Sequence, residues 1–271
     1  MKYQEILPPA YLKNHVRYFW TLENNETDHE PRIFGPVADG CPGLIFQLSA
    51  SCTFYQDDKQ LPDLMVYGQS TRYTELSLTG TICTIGVCCY PNALRSVFGI
   101  NANELTDGCM DLNLMSASGK YRLTEKLADA LSLTEKIQVI AAFLFDEISK
   151  NSGASDEITQ FALAQIMDSR GSISLKDLQQ QLQLTERSFE RRFKQGVGIS
   201  PKLFSRICRF QYSLEQLKKN NYSKLSDIAF ENDYADQSHY IRVFKEFAGF
   251  SPNQFQKKTS DGASNFLLMK K

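Results

Sequence analysis

Hydrophobic and polar positions follow a strand-like pattern over the first 90 residues and a helical period after them. The runs that predict strands are aromatic or β-branched and are bounded by Gly, Pro, Asp or Asn, and they span 16–22, 43–49, 64–68, 73–78 and 81–90. Many short strands without long helices between them are typical of a barrel or a sandwich. Thr79 and Gly80, between the last two runs, predict a hairpin turn.

A helical pattern begins after Pro91. It predicts short helices over 92–98, 103–106 and 120–131, and then a longer helix that Thr134 caps. One face of the longer helix is apolar and carries Ile137, Ile140, Ala141, Leu144, Phe145 and Ile148. This face suits a dimer interface or a cover for the protein's own barrel, and the pattern leaves both open.

The polar run at 151–155 predicts a domain boundary. We expect a β-rich sensor or dimerisation domain over 1–155, helical after 91, an all-helical domain over 156–258, and a tail over 259–271. The predicted fold class is therefore multi-domain α+β, with an N-terminal β-barrel or cupin-like domain that carries short helices and a C-terminal all-α domain.

Two segments of the C-terminal domain repeat each other. The segments 189–204 and 240–255 match at a constant separation of 51 residues in their aromatic, basic, Gly, Ser-Pro and Phe positions. Upstream, the stretch 175–184 matches 225–234 at a separation of 50 residues. A repeat of this length and mixed composition indicates two copies of one structural unit.

Each copy predicts two short helices joined by a tight turn, which is the helix-turn-helix arrangement. In the first copy Thr185 caps the second helix, and Phe189 and Phe193 face inward. Gly198 ends this helix, and Pro201 opens a longer one of about 18 residues, or about 27 Å. That length is near the ~34 Å between successive major-groove faces of DNA.

The outward positions of the second helix in each copy are candidates for DNA contact. They are Arg187, Glu190, Arg191 and Lys194 in the first copy, and Gln237, Ser238, His239, Arg242 and Lys245 in the second. Residues 170–258 carry 16 Lys and Arg against 9 Asp and Glu, whereas residues 1–155 carry 12 against 18. A basic block joined to an acidic one favours a polyanion-binding module, and double-stranded DNA is the expected partner.

Cysteine and histidine form no catalytic or metal-binding pattern. The seven cysteines lie at 41, 52, 83, 88, 89, 109 and 208 without a CxxC pair, and the three histidines lie at 15, 29 and 239 without an HxH pair. We therefore expect free thiols, no metal, no cofactor and no enzymatic activity. The longest apolar stretch, 137–145, is far below the ~20 residues that span a bilayer, so we expect a cytoplasmic protein without membrane contact.

The C-terminal hundred residues resemble the AraC/XylS family of bacterial regulators. The segment 236–245, followed by Gly249 and Ser251-Pro252, closely follows the signature of that family, and the match extends over both copies. The resemblance implies promoter binding, usually activation of transcription, and RNA polymerase as a partner. Glu190 departs from the pattern because it brings a negative charge near DNA.

The N-terminal domain is similar to an uncharacterised sensor-like domain that is often attached to these regulators. The segments that carry the similarity are 18–23, 39–46, 68–72 and 86–91. In the family such domains are commonly cupin-like barrels that bind an effector or form a homodimer. The resemblance names no ligand.

Two hypotheses follow for the N-terminal domain: control by a small-molecule effector, or binding only of protein partners or of itself. Candidate ligand-binding residues are Trp20, Phe46, Phe54 and Tyr55, although residues of this kind more often belong to the core. An apolar cavity with a few convergent polar groups would favour an effector. A filled barrel and a large exposed apolar patch would favour a protein partner.

Overall fold

The computed structural model describes residues 2–24, 32–47, 53–115, 121–151, 153, 156–220, 222–258 and 266–269. Its N-terminal part contains two antiparallel sheets. Their strands are β1 (Lys2–Ile6), β2 (Val16–Asn24), β3 (Arg32–Pro36), β4 (Gly43–Gln47), β5 (Thr53–Gln56), β6 (Lys59–Gln60), β7 (Leu64–Tyr67), β8 (Leu76–Thr79), β9 (Ile82–Cys89), β10 (Cys109–Asp111) and β11 (Phe266–Met269). The first sheet has the order β1-β2-β9-β4-β7-β10, and the second β11-β3-β8-β5-β6.

The first sheet separates two cores because its side chains alternate between its faces. On one face, Trp20 and Ile45 pack against Phe54 and Leu78 of the second sheet. The opposite face packs against helices, which are α1 (Ala93–Phe98), α2 (Leu123–Asp129) and α3 (Leu133–Lys150). Short 3-10 turns lie at Ala10–Leu12, Ala102–Glu104 and Leu112–Leu114.

The hairpin predicted at Thr79 and Gly80 is wrong. A turn does occur there, and Gly80 adopts a φ of 84°. The strands on its two sides nevertheless do not pair, since β8 belongs to the second sheet and β9 to the first. The turn carries the chain from one sheet to the other, because the buried apolar residues of the two strands belong to different cores.

Helix α3 begins at Leu133, and its N-cap lies two residues before the predicted cap at Thr134. Ser132 is the N-cap, and its hydroxyl accepts a hydrogen bond from the Glu135 N–H at 3.2 Å. The Glu135 carboxylate accepts from the Ser132 N–H in return, which forms a capping box. Ile140 and Leu144 are fully buried against the first sheet, whereas Phe145 is 48% exposed. The predicted apolar face therefore covers the protein's own core over most of its width.

The C-terminal part is helical. Its helices are α4 (Glu157–Asp168), α5 (Leu175–Gln181), α6 (Glu186–Val197), α7 (Pro201–Lys219), α8 (Leu225–Glu231), α9 (Gln237–Ala248) and α10 (Pro252–Lys258). They share one core centred on α7, with Phe193, Phe204, Phe210 and Phe244 fully buried. The described part of the chain contains no helix that is long and apolar enough to cross a membrane.

This architecture confirms the predicted fold class: a strand-rich N-terminal part with short helices, and a C-terminal double helix-turn-helix part. Within the predicted tail, β11 pairs with β3 of the second sheet. The boundary at 155 stays a prediction, because Ser152, Ala154 and Ser155 lie outside the described residues. Cys52 and His29 lie outside them as well.

Candidate DNA-binding surface and the cavities behind it

Helix α6 is the second helix of the first helix-turn-helix unit. The Thr185 hydroxyl caps it by accepting from the Ser188 N–H at 3.3 Å, and Gly198 ends it with a φ of 89°. Phe189 and Phe193 are buried on the inner side with ring centroids 6.0 Å apart. The four predicted contact residues of this helix are all exposed: Arg187, Glu190, Arg191 and Lys194.

Helix α9 occupies the same place in the second unit. The Asp236 carboxylate caps it by accepting from the His239 N–H at 2.7 Å. Tyr240 and Phe244 are fully buried beneath it. Four of its predicted contact residues are exposed: Gln237, Ser238, Arg242 and Lys245.

His239 differs from its neighbours because it is half-buried and has local partners. Its Nδ1 accepts a hydrogen bond from the Ala235 N–H at 3.3 Å. Its ring lies edge-on to Tyr234 with centroids 5.6 Å apart. These contacts hold the imidazole at the start of α9, where the outer edge of the ring stays near the exposed surface.

Helix α7 braces the two units against each other. It packs Phe204 against Phe193 of the first unit and Phe210 against Phe244 of the second, with ring centroids 5.8 Å and 5.4 Å apart respectively. An ion pair between Arg206 and Glu246, at 2.6 Å, joins α7 to α9. The relative position of α6 and α9 is therefore set mainly by buried aromatic contacts.

The N-terminal domain holds both units through main-chain atoms. The Thr106 hydroxyl donates to the Gly198 carbonyl at 3.1 Å, directly after α6. The Ala38 N–H donates to the Phe247 carbonyl of α9 at 3.0 Å, and Gln211 Nε2 of α7 donates to the Ala38 carbonyl at 2.6 Å. No sequence pattern predicts these contacts, since each acceptor is a main-chain carbonyl that every residue type carries.

Arg191 lies beside the N-terminal domain as well as on the exposed side of α6. It lines a polar cleft of about 290 Å³ together with Arg95 of α1 and Arg192. Arg192 is engaged by Asp156 at 3.6 Å. A DNA backbone at α6 would therefore meet Arg191 at the edge of the surface, next to the N-terminal domain.

A mostly apolar cavity of about 80 Å³ lies between the two sheets of the N-terminal domain. Since one water molecule needs about 10–15 Å³ of such a volume, the cavity can hold a few waters or a small ligand. Its apolar lining includes Tyr18, Trp20, Ile45, Met65 and Leu76. Its polar lining includes Asp39, Ser70, Cys88 and Asp107. Burial raises the pKa of the Asp39 carboxyl well above its usual value.

Of the four ligand-binding candidates from the sequence, Trp20 lines this cavity. Phe46 is buried on the opposite, helix-covered face of the first sheet. Phe54 is fully buried in the core between the sheets, and Tyr55, the next residue on its strand, is half-buried and outside the lining. On β4 the strand alternation places Ile45 at the cavity rather than Phe46, and this alternation was the signal available in the sequence.

A larger cleft of about 490 Å³ separates the N-terminal domain from α7. Arg17, Arg170 and Lys218 contribute cationic groups to it. Tyr18 and Asp39 line both this cleft and the cavity between the sheets. A molecule in the cavity would therefore touch residues that also face the C-terminal domain.

One group of metal-ligand type occurs within the described residues. The donor atoms of Asp39, Cys41 and Cys88 lie within 4.8 Å of one another. Arg17 Nη1 donates a hydrogen bond to Cys41 Sγ at 3.2 Å. A guanidinium at this position already supplies the positive charge that a metal ion would bring, so the cluster suits an anionic sulfur better than a cation.

Two capped helices on a shared aromatic core define a protein of the double helix-turn-helix class. Residues 178–258 match a family described as helix-turn-helix domain, and residues 4–111 match a domain family of unknown function. The C-terminal region is thus an AraC-type helix-turn-helix domain, which confirms the resemblance found in the sequence.

The chain is also similar to an uncharacterised HTH-type transcriptional regulator of Haemophilus influenzae, with 27% identity over 155 residues. The match covers 56% of this chain and about half, 52%, of that relative. Among solved structures, ToxT from Vibrio cholerae has a TM-score of 0.46 at 14% identity, with 88% of this chain and 97% of that chain covered. A structure of ToxT bound to an unsaturated fatty acid has a TM-score of 0.44 at 13% identity, covering 88% and 94%.

Proposed function

We propose that the protein is a sequence-specific DNA-binding transcription regulator that reads adjacent major grooves with α6 and α9. The observation that carries the proposal is the pairing of two capped, outward-facing basic helices on one rigid aromatic core. Such helices enter the major groove, and their outward side chains reach base edges. The family resemblance favours activation through contact with RNA polymerase.

Arg242→Ala is expected to weaken specific DNA binding by about 1–3 kcal/mol, the usual value of one good base contact. Arg242 is exposed in the middle of α9, between the buried Tyr240 and Phe244, so its removal leaves the core intact. The measurement is a titration of the purified chain against a duplex selected by the wild-type protein from a random-sequence library.

The matched control for this titration is Arg122→Ala, because Arg122 is an exposed arginine of the N-terminal domain, with 70% of its side chain accessible. The control should bind the selected duplex like the wild type. An Arg242→Ala protein that folds normally and binds that duplex unchanged would refute the assignment. An equal loss on all duplexes would place Arg242 on phosphate rather than on a base.

We further propose that a small-molecule effector binds the cavity between the two sheets and controls the DNA-binding domain. The cavity combines an apolar lining with the Asp39 carboxyl, whose pKa burial raises, and other polar groups, which is the usual composition of a ligand site. Its floor reaches Asp39, one residue from the Ala38 backbone that holds α7 and α9. A ligand that displaces Asp39 would change the contact with α7 and with α9 of the second unit.

Native mass spectrometry of the purified chain, followed by Trp20 fluorescence, tests the effector proposal. Trp20 is the single tryptophan of the sequence and lines the cavity, so a ligand there should alter its emission. Ile45→Phe fills the cavity and should abolish binding, while Ile45→Leu conserves volume and should retain it. A retained ligand in the Ile45→Phe protein would place the effector elsewhere.

A protein partner for the N-terminal domain is the second candidate, and one exposed pair favours it. Tyr11 and Phe145 are 54% and 48% exposed and stack edge-to-face with ring centroids 5.4 Å apart. Aromatic side chains left in solvent in this way are common at protein interfaces. A second copy of the chain would be the simplest partner.

A further inference from the structure

Two cysteines of the N-terminal domain face each other beside a buried arginine. Cys41 precedes β4 and Cys88 lies on β9, and both are about 2% exposed. The pairing of Gly43 with Cys88 and the hydrogen bond from the Cys89 N–H to the Pro42 carbonyl bring the two segments together. Arg17 donates to Cys41 Sγ from the neighbouring strand β2.

The two thiols have opposite protonation preferences. A hydrogen bond from Cys88 and the charge of Arg17 lower the pKa of Cys41. That hydrogen bond, together with burial, raises the pKa of Cys88 well above its usual value. With Arg17 hydrogen-bonded to Cys41 Sγ and the two sulfurs within 4.8 Å of each other, these directions favour the thiolate at Cys41 and the thiol at Cys88, which is the arrangement of a reactive cysteine with a resolving one.

The pair is reached from two sides although its side chains are buried. Cys41 lines the cleft of about 490 Å³ between the domains. Cys88 lines the cavity of about 80 Å³ between the sheets. A molecule as small as hydrogen peroxide fits into both spaces.

We propose that Cys41 and Cys88 form a redox site that reacts with small peroxides and closes to a disulfide. The site stands apart from the DNA-binding surface, although Cys88 also lines the cavity between the sheets. Its chemistry does not require that the protein bind DNA. Only its consequence for DNA affinity rests on the proposed function.

The reaction balances in two steps. The Cys41 thiolate attacks one peroxide oxygen, so that an S–O bond forms, the O–O bond breaks, and the other oxygen leaves as an alcohol or water after taking a proton. Sulfur loses two electrons and the peroxide gains them, which leaves a sulfenic acid on Cys41. Cys88 then attacks that sulfur, the S–S bond forms, the S–O bond breaks, and hydroxide leaves as water with the proton of Cys88.

The disulfide would act on the loop that holds the C-terminal domain. Ala38, three residues before Cys41, donates its N–H to Phe247 of α9 and offers its carbonyl to Gln211 of α7. Gly40, in the same loop, lies against Phe204 of α7 with a φ of 65°. Oxidation removes the anionic partner of Arg17 and draws Cys41 toward β9, so it changes the support beneath both helices.

The test treats the reduced full-length protein with hydrogen peroxide and maps the products by peptide mass spectrometry. We expect a Cys41–Cys88 disulfide before any other cysteine is modified, together with a change in Trp20 fluorescence. Cys88→Ser should instead accumulate a sulfenic acid on Cys41 that dimedone traps. Cys89→Ser is the matched control, since Cys89 is equally buried next to Cys88 but faces the other core, and it should behave as the wild type.

Arg17→Gln supplies an independent check of the thiolate. Loss of the positive charge should raise the Cys41 pKa, and once that pKa exceeds the ambient pH, each further unit should reduce the thiolate population, and with it the oxidation rate, by about tenfold. Preferential oxidation of Cys83, Cys109 or Cys208 in the wild-type protein would overturn the proposal, and so would a Cys41–Cys208 bridge. Stoichiometric zinc binding by the reduced protein, lost in Cys41→Ser, would show a metal site instead.

Discussion

Leu144→Glu is expected to unfold the N-terminal domain. Leu144 is fully buried between α3 and the first sheet, in a core that also contains Ile140 and Phe143. Truncating such a leucine alone costs about 2–5 kcal/mol, and a carboxylate in its place adds an unpaired polar group. The total approaches the whole stability of a typical domain. Circular dichroism and thermal unfolding of the purified chain should show a large loss of cooperative structure.

Phe145→Glu is the matched control on the adjacent position of the same helix. Because Phe145 is 48% exposed, its replacement should change stability by no more than about 0.5–1 kcal/mol. If the Tyr11–Phe145 pair joins two copies, sedimentation of this variant should show a monomer where the wild type shows a dimer. A folded monomer from Leu144→Glu would contradict the burial of that face and restore it as the interface.

The C-terminal domain was predictable because its signals are local. Ser200 and Thr185 cap helices where the sequence places them, and Gly198 and Gly249 end helices in the left-handed conformation. Each of these residues acts on atoms within four positions of itself. The repeat doubles every such signal, so the helix bounds and the exposed basic positions follow from the sequence alone.

For the N-terminal domain, the sequence predicted the fold class but not the pairing of the strands. Its strands pair with partners far along the chain, and β11 joins β3 across more than two hundred residues. The error at Gly80 shows the difficulty, since a glycine turn between two strands looks the same whether the strands pair or enter separate sheets. The cavity lining depends in turn on the phase of each strand, and a shift of one residue exchanges Ile45 for Phe46.

Contact between the domains could not be predicted, because its hydrogen bonds from Thr106 and Gln211 end on main-chain carbonyls. Ala38 contributes its N–H and its carbonyl, and neither group depends on the alanine side chain. Gln69 is fully buried and its Oε1 faces Gly198, yet nothing in the segment around Gln69 indicates a partner 129 positions away. Such contacts form when two folded parts pack together, and they do not depend on the conformational preferences of the local sequence.

Gly198→Ala is expected to destabilise the protein by about 2–4 kcal/mol and to loosen the first helix-turn-helix unit from the N-terminal domain. Gly198 has a φ of 89°, which costs an alanine about 1–2 kcal/mol. An added Cβ would also meet Gln69 Oε1 and would lie 2.8 Å from the backbone carbonyl of Ala102. A backbone atom cannot rotate away, so either Gly198 or the contact from Thr106 must move.

Two further substitutions separate these causes. Asparagine tolerates the left-handed conformation better than alanine does, but it has the same Cβ. Gly198→Asn should therefore remain nearly as destabilising as Gly198→Ala if contact with the N-terminal domain dominates, and should recover most of the stability if the backbone conformation dominates. Gly153→Ala, where an added Cβ meets nothing within 4 Å, should leave the thermal midpoint unchanged. Hydrogen exchange should show faster opening of α6 in Gly198→Ala, and wild-type exchange in that variant would mean that the Gly198 contact does not hold the unit in place.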